Sequence, residues 1–273
     1  MLISFITTSY IHMPGGGNRK NKGVYMYLVL SPAKRLHDVT IALQGTEPFF
    51  WSESRKLAKY VQDLSAVDLE KMMGISSTLG VLNHARFQSL SMTQTVGTPA
   101  IQTFAGDTFI GLEAHSLSKK DIEWAQNRIG ILSGLYGVLR PLDVIEPYRL
   151  EMGTKLKTEK GSNLYSFWGE SVHIEVAKRV KETKYPTLIN LASVEYFSVL
   201  KGIGVPVINP IFKEEKNGKY KVIALNSKRA RGSMARFVID ERIENPTYLK
   251  SFNYGGYSYS QEQSTQQNWV FLR

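Results

Sequence analysis

Residues 133–153, SGLYGVLRPLDVIEPYRLEMG, thread two arginines, an aspartate and two glutamates through a segment that is otherwise apolar. The guanidinium groups of Arg140 and Arg149 each present a planar fork that fits a phosphate or carboxylate in bidentate fashion, with Asp143 and Glu151 spaced to hold them. Pro141 and Pro147 restrict Arg140 and Glu146 to extended backbone, so the segment reads as a long ordered loop. Loops fixed at strand ends by a rigid scaffold are where binding groups concentrate, and Tyr136 and Tyr148 join the candidate set on that ground. The competing reading is an internal salt-bridge staple.

A second stretch, LEKMMGISSTLG (69–80), has a spacing that resembles the helix-hairpin-helix motif, in which a glycine-bearing turn points backbone N–H groups at a DNA phosphate. That chemistry needs a small residue where the backbone approaches the anion, and a helix N-terminus whose free amides favour negative charge. Gly74 meets the first need, and Ile75, Ser76 and Ser77 would offer backbone and hydroxyl groups. Ser76 stands where the motif has its second glycine, and its hydroxyl suits a helix cap. A contact of this kind positions a protein on the backbone without reading sequence. The alternative is an ordinary helical hairpin packed in the core.

In SKRARGSMARFVIDERI (227–243), helical geometry puts Lys228, Gly232 and Arg236 within about 80° of one another, with Arg231 about 60° to the other side. Ala230, Met234, Phe237 and Val238 gather opposite, so one face is basic and its reverse is core. From Lys213 to Arg236 there are eight Lys or Arg against two Glu, which concentrates the chain's positive charge here. Arg229 completes the set. A close approach of a ligand backbone at Gly232 is one expectation, and a solvated basic face is the other.

Other chemistries are excluded. The chain has no cysteine, which removes disulfides, thiolate metal sites and cysteine nucleophiles. Glu170 and His173 form a single Glu-x-x-His, whereas a di-iron carboxylate site needs two such motifs with two further glutamates. Histidines 12, 37, 84, 115 and 173 show no paired ligand spacing. Neither a phosphate-binding P-loop, nor a dinucleotide fingerprint, nor a nucleophile elbow occurs, so no cofactor or metal is expected.

The elements that must position these residues alternate between strand and helix. Strands are predicted at 27–31, 99–105, 109–113, 128–134 and 187–193. Helices are predicted at 52–64, 118–126, 163–182 and 227–243. Asn217 and Gly218 suit a tight hairpin between two apolar runs, and FNYGGYSY with WVFLR supplies closing strands. The pattern argues a single α/β domain, a mixed β-sheet surrounded by helices, over residues 26–273. Residues 1–25 read as a flexible or irregular extension with neither signal-peptide nor membrane-span character, which points to the cytoplasm. A net charge of +10 makes polyanions, DNA above all, the first partner class.

Taken together, SPAK (31–34), NHARF (83–87), SGLYGVLRPLD with PYRLEMG, NLYSFWG (163–169), NLAS-x-EY (190–196), K-x-x-RG-x-x-AR (228–236) and FNYGGY with a terminal WVFLR resemble the YaaA peroxide-stress family. The resemblance runs from Met26 to the C-terminus. It implies a cytoplasmic bacterial protein, induced by hydrogen peroxide, that limits free intracellular iron and oxidative damage. It further implies a single α/β domain with a positively charged cleft and a helix-hairpin-helix element, at about 66–86, that binds duplex or branched DNA.

The leading expectation is therefore sequence-independent DNA binding, with Gly74, Ile75, Ser76, Ser77, Arg86, Lys228, Arg229, Arg231 and Arg236 at the interface. The alternative is an enzyme acting on a small anionic ligand, such as a nucleotide or nucleobase. Its pocket would draw on Lys34, Asn83, Tyr136, Arg140, Asp143, Tyr148, Arg149, Glu151, Asn190, Ser193 and Glu195.

Overall fold

A computed structural model describes residues 26–37, 45–91 and 98–273. The expectation for residues 1–25 lies outside them. In chain order the elements are β1 (Tyr27–Leu30), α1 (Trp51–Gln62), α2 (Ala66–Met73), α3 (Ser77–Ser89), β2 (Thr98–Pro99), α4 (Ala100–Thr103), α5 (Asp107–Leu112) and α6 (Lys119–Ala125). There follow β3 (Ile129–Ser133), β4 (Gly137–Leu139), β5 (Val144–Ile145), α7 (Leu164–Trp168), α8 (Ser171–Lys181), β6 (Leu188–Leu191) and α9 (Val194–Phe197). The chain closes with β7 (Val207–Lys216), β8 (Lys219–Lys221), α10 (Ala224–Asp240), β9 (Ser258–Ser260) and β10 (Asn268–Leu272).

The expected mixed sheet is present, in the order β4-β3-β1-β6-β7-β10-β9, with β8 attached to β7. Its centre, from β3 across β1, β6 and β7 to β10, is parallel, and the flanking strands β4, β9 and β8 are antiparallel. Parallel strands are covered on both faces and so need unbroken apolar runs, which is why all four residues of YLVL and all five of IGILS are buried. β7 instead alternates, as a strand does when one face is wetter. It turns into β8 through Asn217 and Gly218, both at positive φ, the geometry that a two-residue hairpin requires.

Several predicted elements change type or length. Residues 99–105 and 109–113 are largely helical, as α4 and α5, because a short apolar run does not distinguish a buried strand from a buried helix. The predicted helix at 163–182 is two helices, α7 and α8, separated at Gly169. In FNYGGYSY the residues Tyr254–Gly256 form a tight turn, and strand begins only with Ser258–Ser260. The capped helix at 118–126 is borne out: Ser118 Oγ accepts from the amide of Asp121, whose carboxylate accepts from the amide of Ser118.

Candidate functional site

Parallel β1, β3 and β6 place their carboxyl ends on one side of the sheet. The chain leaves central β1 for β3 on one flank and returns to β6 on the other, the switch in connection at which open α/β sheets leave a crevice. Four sequence motifs meet there. SPAK leaves β1 and carries Lys34, whose Nζ lies 2.8 Å from Glu151 Oε2. Arg149 reaches the other oxygen of the same carboxylate, its terminal nitrogen 3.0 Å from Oε1. The NLAS segment leaves β6, and Ser193 is tied to Ser31 by its amide, which donates to Ser31 Oγ at 2.8 Å. Glu195, on α9, accepts from the amide of Gly153 at 3.0 Å, and its carbonyl accepts from the Tyr165 hydroxyl.

Tyr148 and Tyr136 form the buried floor beneath this crevice. Tyr148 shares a 2.6 Å hydrogen bond with Ser133 at the end of β3, and Tyr136 packs edge-to-face on it with ring centres 5.3 Å apart. Burial raises the pKa of both phenols, so they stay neutral at any physiological pH. Burial likewise raises Tyr196, helped by the charges of Glu195 and Glu151 beside it.

The long loop 133–153 is not one wall. Within it β4 pairs antiparallel to β3, so the chain at Arg140 has run back toward the amino ends of the strands. There Asp143, fully buried, accepts from Arg140 Nε at 3.0 Å, from the Arg140 amide at 2.7 Å and from Thr46 Oγ1 at 2.6 Å. Burial pushes the Asp143 carboxyl upward against the pull of Arg140 and these hydrogen bonds. Arg140 also donates to the Glu47 carbonyl. Arg140 and Asp143 thus form the internal staple, while Arg149 and Glu151 belong to the crevice.

The expected DNA-facing residues fall on two separate elements. Gly74 adopts left-handed backbone (φ 59, ψ 45) at the end of α2, with open space where a side chain would stand. Ile75 and Ser76 complete the turn into α3. Ser76 occupies the cap position of α3 without a side-chain cap hydrogen bond, so the first-turn amides beginning at Ser77 are left without one. Arg86 lies half-buried near the far end of α3. Asn83 is buried on the same helix, its amide nitrogen donating to the Leu79 carbonyl and its oxygen unpaired among the described residues. Among the described residues neither Arg86 nor Asn83 is joined to the crevice by a hydrogen bond.

On α10 the basic residues are divided. Arg229 pairs with Asp107, and Arg236 with Asp240 at 2.8 Å and with the Ser116 hydroxyl at 2.6 Å. Lys228 is exposed. Gly232 does not face a ligand: a Cβ there would lie 1.8 Å from the Thr108 carbonyl oxygen of α5, so its role is helix crossing. Arg231 turns toward a cavity of about 410 Å³ that it shares with Asn190, Asn209 and Lys201. Asn209 and Lys201 carried no sequence signal. Asn209 joins Asn190 because the β6–β7 register sets residues 190 and 209 side by side, their amides 2.9 Å apart.

No helix among the described residues is long and apolar enough to cross a membrane. Comparison with known proteins is consistent throughout. The chain is 46% identical over 255 residues to a UPF0246 protein of Cereibacter sphaeroides, covering 91% of this chain and 99% of that one. A UPF0246 protein of Caulobacter vibrioides is 45% identical over 253 residues, covering 91% and 99%. One of Ruegeria pomeroyi is 43% identical over 252 residues, covering 91% and 98%. The family described as peroxide stress protein YaaA matches residues 26–263, and the chain belongs to that family.

Proposed function

We propose that this peroxide-stress protein holds the phosphate backbone of duplex or branched DNA, with α2 and α3 acting as a helix-hairpin-helix and no dependence on base sequence. The observation that carries the reading is the turn between them. Left-handed Gly74 stands in open space, and α3 begins with amides that no side chain caps. Such a turn lets a phosphate approach the backbone closely and meet the positive end of a 13-residue helix. Arg86 and Lys228 add cations that have no ion-pair partner among the described residues, and the net charge of +10 favours any polyanion. In the cell this binding would serve to limit peroxide damage and free iron in the cytoplasm, the role that the family resemblance implies. Fluorescence anisotropy with linear duplex, four-way junction and single-stranded DNA across a salt series tests it. Steep loss of affinity with salt, and weakening by Gly74→Asp, are expected; binding indifferent to both would overturn the reading.

A second reading, an enzyme acting on a small anionic ligand, rests on the crevice at the carboxyl ends of β1, β3 and β6. There one carboxylate, Glu151, is gripped by both Lys34 and Arg149. Two cations already brought together on one carboxylate present preplaced donors to a ligand anion.

A further inference from the structure

We propose that the cavity between β6, β7, α9 and α10 binds a small phosphate ester carried on a planar ring, a nucleoside monophosphate in class, with Arg231 gripping the phosphate. This site is independent of the α2–α3 turn.

The first argument is an unanswered charge. The side chains of Arg140, Arg149, Arg179 and Arg236 are all largely buried, between 14% and 26% exposed, and each has a carboxylate within 3.0 Å. Arg231 is also half-buried, yet it has no hydrogen-bond or ion-pair partner among the described residues. Desolvation without a partner lowers its pKa. A guanidinium withdrawn from water is costly unless an anion meets it, and none of the described residues supplies one to Arg231.

The second argument is the balance of donors and acceptors. Among the described residues the cavity is lined by two cations, Arg231 and Lys201, and by no Asp or Glu. An asparagine ladder crosses β6, β7 and β10 at one level: Asn190 Nδ2 donates to Asn209 Oδ1 at 2.9 Å, and Asn209 Nδ2 donates to Asn268 Oδ1 at 3.2 Å. Asn190 Oδ1 is taken by the Ala192 amide. Each of the two amide oxygens thus already accepts one hydrogen bond from the protein, while each amide nitrogen keeps a second N–H. Spare amide N–H donors beside two positive charges suit a dianionic phosphate. Phe197 and Ile211 supply an apolar wall for a flat ring, and about 410 Å³ lies within the roughly 300–1,000 Å³ of small-molecule sites.

Isothermal titration calorimetry of the full chain with adenosine monophosphate, inorganic phosphate and adenosine is the test. Adenosine monophosphate should bind at least about tenfold more tightly than either fragment, since charged hydrogen bonds and apolar contact then act together. Arg231→Gln should weaken it about 10- to 100-fold, and Gly74→Asp should leave it unchanged. Asn209→Asp, nearly isosteric, adds a negative charge to the wall and gives a second reading if Arg231→Gln does not fold. Absence of binding, equal affinity for phosphate alone, or affinity unmoved by both Arg231→Gln and Asn209→Asp would overturn the proposal.

Discussion

Gly232 on α10 and Thr108 on α5 stand backbone to backbone, so close that a Cβ on Gly232 would sit 1.8 Å from the Thr108 carbonyl oxygen. The contact is reciprocal, because Gly111 on α5 meets the Arg229 carbonyl of α10 at 2.0 Å by the same measure. Two helices can approach this closely only where the residue facing the other helix's backbone is a glycine, and helix backbone cannot relax the way a flexible side chain does.

Gly232→Ala should accordingly destabilise the fold by about 1–3 kcal/mol, the range for overpacking a tight contact. Thermal unfolding monitored by circular dichroism reads the effect. A stability equal to wild type together with altered DNA affinity would return Gly232 to the role of a ligand contact.

At the α2–α3 turn, Gly74→Ala places a side chain at φ 59, which costs roughly 1–3 kcal/mol of local strain, but it meets no clash. The variant should stay folded and lose DNA affinity modestly, with Gly74→Asp losing more through charge repulsion. Arg86→Ala should weaken binding to all DNA sequences alike and reduce the salt slope by about one. Anisotropy titrations at four or more salt concentrations separate these effects.

The two acid–arginine sets of the 133–153 loop should respond differently to truncation. Asp143→Ala leaves Arg140, together with Thr46, without its buried partner and should cost roughly 3–5 kcal/mol. Glu151→Ala returns Lys34, 61% exposed, to water but leaves the largely buried Arg149 without its carboxylate, and should cost roughly 1–3 kcal/mol, less than the loss of the fully buried Asp143. Urea denaturation of the two variants distinguishes staple from crevice; similar losses would contradict the division.

Acid sensitivity should concentrate at the helix caps. The Ser118 hydroxyl, and then Arg242, hold the Asp121 carboxyl below its ordinary value of 3.8, and Ser65 does the same for Asp68. A carboxylate with a depressed folded pKa binds fewer protons folded than unfolded, so its contribution is present above the unfolded value and is lost as pH falls through the folded one. Asp121→Asn should therefore lower the melting temperature at pH 6 and converge with wild type at the lowest pH at which both remain folded. A difference that persists undiminished into acid would assign the effect to packing instead.

The central parallel strands were legible because YLVL, IGILS and LINL are unbroken apolar runs, which two-sided burial demands. The Ser118 cap, the Asn217–Gly218 hairpin and the helical pair at about 66–86 were legible because each depends on chemistry within a few residues. Helices α4 and α5 were misread for the converse reason. Nothing local tells a four-residue apolar helix from a strand, and α5 is helical where it packs Gly111 against α10.

Residue types and local spacing by themselves determined the α/β class, the basic character, the exclusion of cysteine chemistry and the motif set that marks the family. Only the tertiary structure decided which members of those motifs meet. It parted Arg140 from Arg149, although they share one loop, because the β3–β4 hairpin carries the chain to the far end of the sheet before it returns. It joined Lys34 to Glu151, distant in sequence, because parallel strands deliver their carboxyl ends to the same side. Among the described residues Arg231 was left without a counter-charge while Arg229 and Arg236 on the same helix found theirs, since the direction of each side chain from α10 fixes which surface it meets. Pairings of this kind depend on strand register and helix rotation, which are properties of the assembled sheet rather than of any segment.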